Sequence, residues 1–464
     1  MNLATLLKLE PGRRYRAALV GAGQFGHSFV FQGMRNRYLD VPVVCDRAPE
    51  RAMAAFRAAG VPPGDVARCE SVAAAKRALE RGARVVLADA ALAAELPLDI
   101  LVEATGEPEI AAANAVRALD HGLSVAMVSK EAECTVGPAL AQRAAARGLA
   151  YTPVDGDQPS LLIGLLSWAG IVGLDVVAAG KSCEYDFVLD ARRGVVTSNG
   201  VEVPAPRLGA CWTFEGAADA LVAARAAAIP GLVRQTVPDL AELTVVANAT
   251  GLKPDVPSLH APILRTIEVP SVLCPMTDGG ILDRRPALEV FSCLRASDEL
   301  SFAGGVFVVV RCEDEASWAV LREKGHPVAR NGRHALLYNP QHLLGIEAVV
   351  SVVAACATKT SSGGAAPRPV CDVYAQATVP LRAGTKLELG ERHALANLAP
   401  LMLDAQPAAG ENPVPYYLAA GATLARDVAA GEMLTCDDIV PRADSVAWRL
   451  RREQDGVFFD AAAR

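Results

Sequence analysis

The sequence lacks several features that mark whole classes of protein. It has eleven cysteines in 464 residues but no CxxC or CxxH pair, so neither a zinc ribbon nor a disulfide framework is indicated. Its formal net charge is −7 and no basic stripe is present, which argues against nucleic-acid binding. Low-complexity tracts are also missing. With 52% hydrophobic and 21% charged residues, we expect a globular protein of the reducing cytoplasm.

Long hydrophobic runs are scarce as well. The first sixteen residues, "MNLATLLKLEPGRRYR", have no long apolar stretch and no small-residue cleavage site, so export is not expected. The one candidate for a membrane span, residues 159–180, is interrupted by Asp175 and several glycines. We interpret it as a buried helix of about ten residues followed by a buried strand, and expect no membrane association.

The chain is too long for one hydrophobic core, because single cores stop growing near ~250–300 residues. The composition and motifs predict an α/β protein of three domains. We expect a nucleotide-binding, doubly wound parallel sheet (Rossmann fold) at 1–155, an α+β substrate and dimerisation domain at 156–369, and a small β-rich module with a tail at 370–464.

A glycine-rich turn follows the first predicted strand. The string "YRAALVGAGQFG" is an apolar run that leads into Gly21, Gly23 and Gly26, the GxGxxG spacing of dinucleotide-binding folds. Gly21 would make the tight turn, Gly23 would let the backbone approach a diphosphate, and Gly26 would allow close helix–strand packing. The diphosphate would then bind the N-terminus of the next helix, where free N–H groups favour an anion.

A second predicted strand, "VPVVCD", ends in Asp46, twenty residues beyond Gly26, where a ribose-binding carboxylate belongs. Arg47 follows directly. This position therefore carries an acceptor for a ribose 2′-hydroxyl and a cation for a 2′-phosphate, so NAD and NADP both stay open. The predicted cofactor-binding residues are Gly21, Gly23, Gln24, Phe25, Gly26, Asp46, Arg47, Thr105 and Gly106.

Strands and helices alternate through the rest of this segment. We predict strands at 84–88, 99–106, 123–129 and 149–155, and helices at 49–60, 71–82, 108–122 and 136–148. Strands separated by helices of this length are typical of a parallel sheet, in which ligands bind outside the carboxyl ends of the strands.

Lys130 lies directly after the predicted strand at 123–129, at that same edge. Hydride transfer to a carbonyl needs a proton donor or a positive charge beside the developing alkoxide. We expect burial to lower the pKa of Lys130 toward the working range. The alternative is a structural lysine that caps the sheet and pairs with Glu131 or Glu133, which otherwise read as helix N-terminal acids.

The middle segment offers further polar candidates. Asp157, in "DGDQPS", reads as a helix N-cap or as a substrate ligand. In "GKSCEYDF", Lys181, Glu184 and Asp186 would leave a strand together, as a surface ion-pair cluster or as part of a site. No metal site is expected. The predicted catalytic residues are Lys130, Lys181, Glu184 and Asp157.

Three histidines, His326, His334 and His342, are spaced by eight residues, which fits no compact metal motif, so we favour structural or surface roles. His342 is the best functional candidate of the three, because it lies in the first turn of a predicted apolar helix that could end near the cleft. After a predicted loop at 358–369, two half-repeats, "VPLRAGTKLE" and "RDVAAGEMLT", indicate a compact β module. We interpret it as a binding or assembly element without catalytic groups. The terminal string "WRLRREQD" is expected to be an exposed, solvated end.

The strings "VGAGQFG", "EATG", "SKEA" and "VGLDVVAAGK", in this order, resemble the homoserine dehydrogenase-like oxidoreductases. More closely, the chain is similar to their branch with a C-terminal SAF domain, which includes the deoxyxylulose-5-phosphate reductoisomerase-like enzymes. The resemblance implies a Rossmann domain, NADP used more often than NAD, an inserted dimer domain and substrate-side lysines at Lys130 and Lys181. Differences in the acidic pattern make homoserine itself an unexpected substrate.

Two functions follow. The first is an NAD(P)-dependent oxidoreductase, a homo-oligomer, that transfers a hydride between the nicotinamide and a small hydroxy or oxo compound, such as a phosphorylated sugar-derived acid. Its variant is a reductoisomerase with a metal held by residues such as Asp157 and Glu184. The second is a nicotinamide-nucleotide sensor that binds the cofactor without turnover.

Overall fold

Seven parallel strands form the N-terminal sheet, in which every neighbouring pair runs in the same direction. The computed structural model describes residues 2–311 and 313–460. The strands are β1 Tyr15–Val20, β2 Leu39–Cys45, β3 Val66–Arg68, β4 Arg84–Leu87, β5 Ile100–Glu103, β6 Ser124–Met127 and β7 Tyr151–Pro153. Their order, β3-β4-β2-β1-β5-β6-β7, reverses direction at β1, so the ligand crevice is expected where the carboxyl ends of β1 and β5 meet. The doubly wound sheet is confirmed.

Helices connect these strands at nearly the predicted positions: α1 Leu3–Leu6, α2 Gln24–Arg35, α3 Pro49–Ala58, α4 Val72–Glu80, α5 Pro108–Asp120 and α6 Lys130–Ala145. One prediction was wrong in its start, because α6 begins six residues before 136. Glu131 and Glu133 occupy its first turn, where negative charge favours a helix. Lys130 is therefore held on a helix rather than in a loop.

The core of this sheet is closed by a helix from later in the chain. Leu19 on β1 and Phe29 on α2 are fully buried, and burial of such side chains is worth ~1.5–3 kcal/mol each. The helix at Val349–Thr358 packs against β6 and β7 and joins the same cluster through Val352. The middle segment thus returns to the N-terminal sheet.

A second, nine-stranded sheet mixes parallel and antiparallel pairs. Its strands are β8 Asp175–Ser182, β9 Phe187–Asp190, β10 Val195–Ser198, β11 Val201–Pro204, β12 Lys253–Pro254, β13 Ile263–Leu264, β14 Ala287–Ala296, β15 Val306–Arg311 and β16 His334–Asn339. The helices of this segment are α7 Gln158–Ile171, α8 Ala218–Ala228, α9 Val237–Thr250, α10 Val269–Val272, α11 Glu315–Glu323 and α12 Val349–Thr358.

The apolar stretch 159–180 is a helix followed by a strand, as predicted. The helix, α7, has 14 residues rather than about ten, and it is not buried throughout as expected, because Trp168 is 49% and Ile171 84% accessible. β8 is buried from Val177 onward. Within the described part of the chain, every helix is too short or too polar to cross a membrane.

The C-terminal segment contains two small antiparallel pairs, β17 Cys371–Ala377 with β18 Leu398–Asp404, and β19 Thr423–Leu424 with β20 Ile439–Val440. It ends in a helix, α13 Val446–Phe458. The prediction that "WRLRREQD" is an exposed end was wrong. Arg451 on α13 is fully buried, and its guanidinium nitrogens lie 2.8 and 3.0 Å from the carboxylate of Asp372. A charge can be buried in this way because its partner neutralises it.

Candidate active site

The glycine turn between β1 and α2 has the geometry that its sequence predicts. Gly21 has a φ of +98°, and a Cβ there would lie 2.4 Å from the carbonyl oxygen of Ala104 on the neighbouring loop. A Cβ on Gly26 would lie 2.5 Å from the oxygen of Gly21. In contrast, a Cβ on Gly23 would meet nothing within 4 Å. The first two glycines are therefore required by packing, whereas the space beside Gly23 is open, as a diphosphate needs.

Asp46 and Arg47 lie at the end of β2, next to this turn. The Asp46 carboxylate accepts hydrogen bonds from the backbone N–H groups of Ala22, at 2.9 Å, and Ala48, at 2.8 Å. Asp46 therefore ties the glycine turn to the start of α3, with one oxygen on each side. Arg47 is exposed and free to meet an anion.

The loop after β5 lies beside the turn and is fixed by a buried acid. Glu103 accepts hydrogen bonds from the Thr105 N–H, at 3.2 Å, and from the Ser129 hydroxyl, which in turn accepts the Gly106 N–H at 2.8 Å. Burial raises the pKa of Glu103 to about 7, against hydrogen bonds that lower it. Thr105 and Gly106 thus hold a set position at the sheet edge, as predicted for a cofactor-contacting loop.

Opposite the turn, two lysines share one glutamate. The Lys130 ammonium donates to one carboxylate oxygen of Glu242, and the Lys181 ammonium donates to the other. Lys181 also lies 2.8 Å from Asp239, and Lys130 lies 3.7 Å from Asp157. We call these five side chains, from α6, α7, β8 and α9, the lysine–carboxylate cluster. It joins residues that are far apart in the sequence at the carboxyl edge of the N-terminal sheet.

The charges in this cluster set its protonation. Burial alone would lower the pKa of Lys130, but Asp157, Glu242 and Glu131 raise it well above its usual value. The pKa of Lys181 is also raised, because Asp239 and Glu242 outweigh burial. Burial would raise the pKa of Glu242, yet the two lysines lower it to about 2. The expected downward shift in the pKa of Lys130 was therefore wrong, because Asp157 and Glu242, which are distant in the sequence, join the neighbouring Glu131 around it.

Asp157 is the N-cap of α7, and its interpretation as a substrate ligand stays a prediction. Its side chain caps α7 by accepting the Gln158 N–H at 3.1 Å, and it also faces Lys130. Burial raises its pKa, against the attraction of Lys130. Asp157 is thus a carboxyl group held near a protonated amine in a poorly solvated place, where it can exchange a proton.

The turn and the cluster open into one cleft of about 630 Å³. Its walls include Gln24, Phe25, Lys130, Asp157, Lys181, Glu184, Asp239, Glu242, His342, Arg392 and His393. All four predicted catalytic residues line it, together with two of the predicted cofactor-binding residues; the remaining ones lie in the adjoining turns described above. The volume and the mixed polar lining suit a small-molecule site.

Other predicted groups separate. Glu184 lines the cleft, where it accepts a hydrogen bond from the Gln158 side chain at 3.2 Å and lies 3.9 Å from His342. Asp186 instead pairs with Arg295 at 2.6 Å, outside the cleft lining. Of the three histidines, His342 lines the cleft, from the loop before α12 rather than from the first turn of that helix. Lys181 and Glu184 both line the cleft, and their joint action stays a prediction.

The sequence analysis missed Glu242, Asp239 and the pair Arg392–His393. A usable signal for the first two was present, because Thr236, a proline and Asp239 form a capping box at the start of α9, which places Glu242 one turn later on the same face. Arg392 had no such signal, since it comes from the C-terminal segment, where only a binding or assembly role was expected.

The residues at the turn fit a dinucleotide. The open space beside Gly23, the free N-terminus of α2 and the adjoining cleft together offer room and N–H donors for a diphosphate. A metal is a different case, because no group of three potential ligands comes together within residues 2–311 and 313–460. Asp157 and Glu184 are thus not part of a recognisable metal site there.

Comparison with known protein families adds one assignment. Residues 235–348 match the family described as oxidoreductase DRL, catalytic domain. This segment contains Asp239, Glu242 and His342, which are three of the cleft-lining residues. The matched family is described as an oxidoreductase, which is the class of protein that the sequence predicts. No curated protein matches the chain at a significant level.

Several solved structures resemble part of the chain. They include a myo-inositol dehydrogenase from Lactobacillus casei with NAD(H) and myo-inositol, at 16% identity and a TM-score of 0.27 over 39% of this chain and 48% of that one. The 1-deoxy-D-xylulose 5-phosphate reductoisomerase from Zymomonas mobilis with NADPH has 20% identity and a TM-score of 0.28 over 37% of this chain and 46% of that one. The WlbA dehydrogenase from Bordetella pertussis with NADH and UDP-GlcNAcA has 16% identity and a TM-score of 0.27 over 38% of this chain and 47% of that one.

The chain thus spans about half the length of these relatives. Each of these three structures contains a nicotinamide dinucleotide.

Proposed function

We propose that the chain is an NAD(P)-dependent oxidoreductase that transfers a hydride between the nicotinamide and a small hydroxy or oxo compound of the sugar-derived acid class. The observation that carries the proposal is the single cleft shared by the glycine turn and the lysine–carboxylate cluster. When bound, the nicotinamide supplies or accepts the hydride. The turn supports binding of its diphosphate, and the cluster supports stabilisation of a charged oxygen on the substrate.

Lys130 is the residue we assign to the reacting oxygen. Its raised pKa keeps the ammonium protonated, so it provides a lasting positive charge and hydrogen-bond donors beside an alkoxide. One well-placed donor of this kind is worth ~3–4 kcal/mol of barrier reduction. Glu242 fixes the position of Lys130 and carries no substrate bond itself. Lys181, only 2% exposed, acts from behind as the second charge and orients Glu242.

Proton exchange at the substrate oxygen also needs a group that can change its charge. Asp157 lies 3.7 Å from the Lys130 ammonium and has a pKa raised by burial. We assign to Asp157 the proton that the substrate oxygen takes up on reduction and returns on oxidation. This proton passes across the ammonium of Lys130, which is protonated before and after the step. Glu184, at the edge of the cleft with His342, is placed to bind a substrate hydroxyl.

The environment of Asp46 favours NADP over NAD. Both oxygens of Asp46 already accept backbone N–H groups, which leaves fewer acceptors for a ribose 2′-hydroxyl. The neighbouring Arg47 is exposed and suits a 2′-phosphate. The cofactor we propose is therefore NADP, with NAD as the weaker ligand.

The proposal also covers the family, the domain organisation and the oligomeric state of the chain. We place the chain among the homoserine dehydrogenase-like enzymes with a C-terminal SAF module, with domains at 1–155, 156–369 and 370–464, and infer a homo-oligomer of the cytoplasm. The two antiparallel pairs after residue 370 and the sequence half-repeats support the C-terminal module. The boundaries can be tested by limited proteolysis.

The test is turnover. We would incubate the protein with NADPH and a panel of oxo-acids, hydroxy-acids and sugar phosphates, and follow the nicotinamide absorbance. Oxidation of NADPH that requires one panel compound, and that is lost in Lys130→Gln with NADPH affinity retained, is the expected result. Tight NADPH binding without oxidation by any compound would favour the sensor function instead.

A further inference from the structure

The loop at Glu391–His393 brings the C-terminal segment to the edge of the N-terminal sheet. The His393 Nδ1 atom lies 3.1 Å from the carbonyl oxygen of Gly106 and 3.3 Å from a carboxylate oxygen of Glu131. Gly106 is required for this approach, because a Cβ there would lie 2.6 Å from the His393 ring. The loop thus covers the strand end where the nicotinamide is expected.

The backbone of this loop is held in an unusual conformation. Arg392 and His393 have φ values of +53° and +55°, in the left-handed region that residues other than glycine rarely adopt. Directly after the loop, the buried Leu395 donates its N–H to the Tyr416 hydroxyl at 2.7 Å. Strain that is kept in place by a packed anchor is commonly found where a side chain must point into a site.

Arg392 differs from the other cations of the cleft. Lys130 and Lys181 are each paired with carboxylates, as described above. The Arg392 side chain lines the cleft, yet it has no ion-pair or hydrogen-bond partner within residues 2–311 and 313–460. Its guanidinium group therefore keeps all of its N–H donors for a ligand.

The acids that line the cleft are, in contrast, already engaged. Asp157, Asp239 and Glu242 face the two lysines, and Glu184 accepts from Gln158 and approaches His342. The other acid near the loop, Glu131, is buried and faces His393. Of the two lysines and the arginine that line the cleft, Arg392 is therefore the one without a carboxylate partner in the described part of the chain, so its charge can meet an incoming anion.

From this juxtaposition we propose that Arg392 is the substrate-specificity residue of the cleft, which binds an anionic group, a phosphate monoester or a carboxylate, and that His393 positions it. The planar guanidinium matches both groups with two parallel hydrogen bonds. The C-terminal segment, expected to serve only binding or assembly, thereby completes the site. The proposal rests on the proposed function for the reaction but not for the binding of the anion.

The test compares Arg392→Gln with Arg382→Gln. Arg382 is a matched control, an exposed arginine of the same segment whose guanidinium lies 2.6 Å from Asp427 and outside the cleft lining. Binding of inorganic phosphate and of acetate to the intact chain, with and without NADPH, would be measured by NMR line broadening. NADPH affinity would be measured separately by fluorescence.

We expect Arg392→Gln to weaken binding of phosphate or acetate about tenfold or more, to leave NADPH affinity within about twofold, and Arg382→Gln to change neither. Loss of the phosphate interaction identifies a phosphate monoester, and loss of the acetate interaction a carboxylate. The proposal is overturned if the wild type binds neither anion, if both arginine variants behave alike, or if NADPH affinity falls with Arg392→Gln. Failure of the wild type to bind NADPH would instead overturn the proposed function while the anion result stands.

Discussion

The glycine turn and the lysine–carboxylate cluster face the same cleft but are held by different forces. The turn is fixed by backbone packing, since a Cβ on Gly21 would overlap the carbonyl oxygen of Ala104 and a Cβ on Gly26 would overlap that of Gly21. The cluster is fixed by buried charges from residues 130, 157, 181, 239 and 242. The first depends on shape and the second on electrostatic balance, so they should respond differently to mutation and to pH.

The largest effect is expected in the cluster. Glu242→Gln would leave two buried ammonium groups without their shared carboxylate, which destabilises a protein by ~3–5 kcal/mol and should lower kcat by ~10²–10³. The measurements are urea unfolding and NADPH turnover. The matched variant is Glu268→Gln, which breaks a buried pair with Arg225 outside the cleft and should lose stability but keep kcat. Equal loss of kcat in both variants would mean that the lysine–carboxylate cluster affects turnover only through stability.

The next effect isolates charge from stability. Lys130→Gln keeps a polar side chain in the cleft but removes the positive charge, so kcat should fall by ~10² or more with NADPH affinity unchanged. Steady-state kinetics and fluorescence titration would measure the two quantities. Lys253→Gln, at a partly exposed pair with Asp404, is the control. A change confined to NADPH affinity would show that Lys130 binds the cofactor and does not assist the reaction.

Glu103, beside the glycine turn, and Glu242, in the lysine–carboxylate cluster, should contribute to stability with opposite dependences on pH. Burial raises the pKa of Glu103 from 4.5 to about 7, so the stability linked to its protonated form is present below pH 4.5 and is lost as the pH rises to 7. Glu242, whose pKa is lowered to about 2, contributes stability above pH 4.5 that is lost as the pH falls toward 2.

Glu103→Gln should therefore remove a decline in the unfolding free energy of about 3 kcal/mol between pH 4.5 and 7, the interval spanned by the ordinary and raised pKa values. Urea unfolding across this pH range measures it, with the exposed Glu80→Gln as the control. A decline of unchanged size in Glu103→Gln would contradict the assignment of the raised pKa.

The smallest stability effect belongs to the turn. Gly23→Ala places its Cβ in open space, so the unfolding free energy should change by no more than ~1 kcal/mol, while NADPH affinity falls about tenfold because the diphosphate path is blocked. Gly21→Ala, at a φ of +98°, should instead lose both stability and binding. Retained NADPH affinity in Gly23→Ala would show that the glycine turn does not bind the diphosphate of the cofactor.

The sequence predicted the local parts of this structure and missed the assembled ones. The parallel, doubly wound sheet and the glycine turn follow from hydrophobic period and strand ends, which are properties of short segments. The contact between Lys130 and Glu242 spans 112 residues, and that of His393 with Gly106 spans 287. Such pairs depend on how sheets and segments meet, which single-sequence patterns do not encode.

The same reason explains the wrong pKa direction and the buried end of the chain. Burial of Lys130 was predictable from its position directly after β6. The carboxylates of Asp157 and Glu242, which reverse the effect of burial on its pKa, come from the start of α7 and from α9. Likewise, "WRLRREQD" looks solvated because of its charges, and only the fold brings Asp372 to Arg451. Charge patterns in sequence indicate partners only when both lie on one element.

The central claim is that the glycine turn and Lys130 serve one bound dinucleotide, and a crystal structure of the chain with NADPH tests it most directly. We predict the diphosphate against Gly23 and the N-terminus of α2, with the nicotinamide ring facing the ammonium of Lys130. A dinucleotide bound elsewhere, or a ring turned away from Lys130 toward the opposite face of the sheet, would contradict the account.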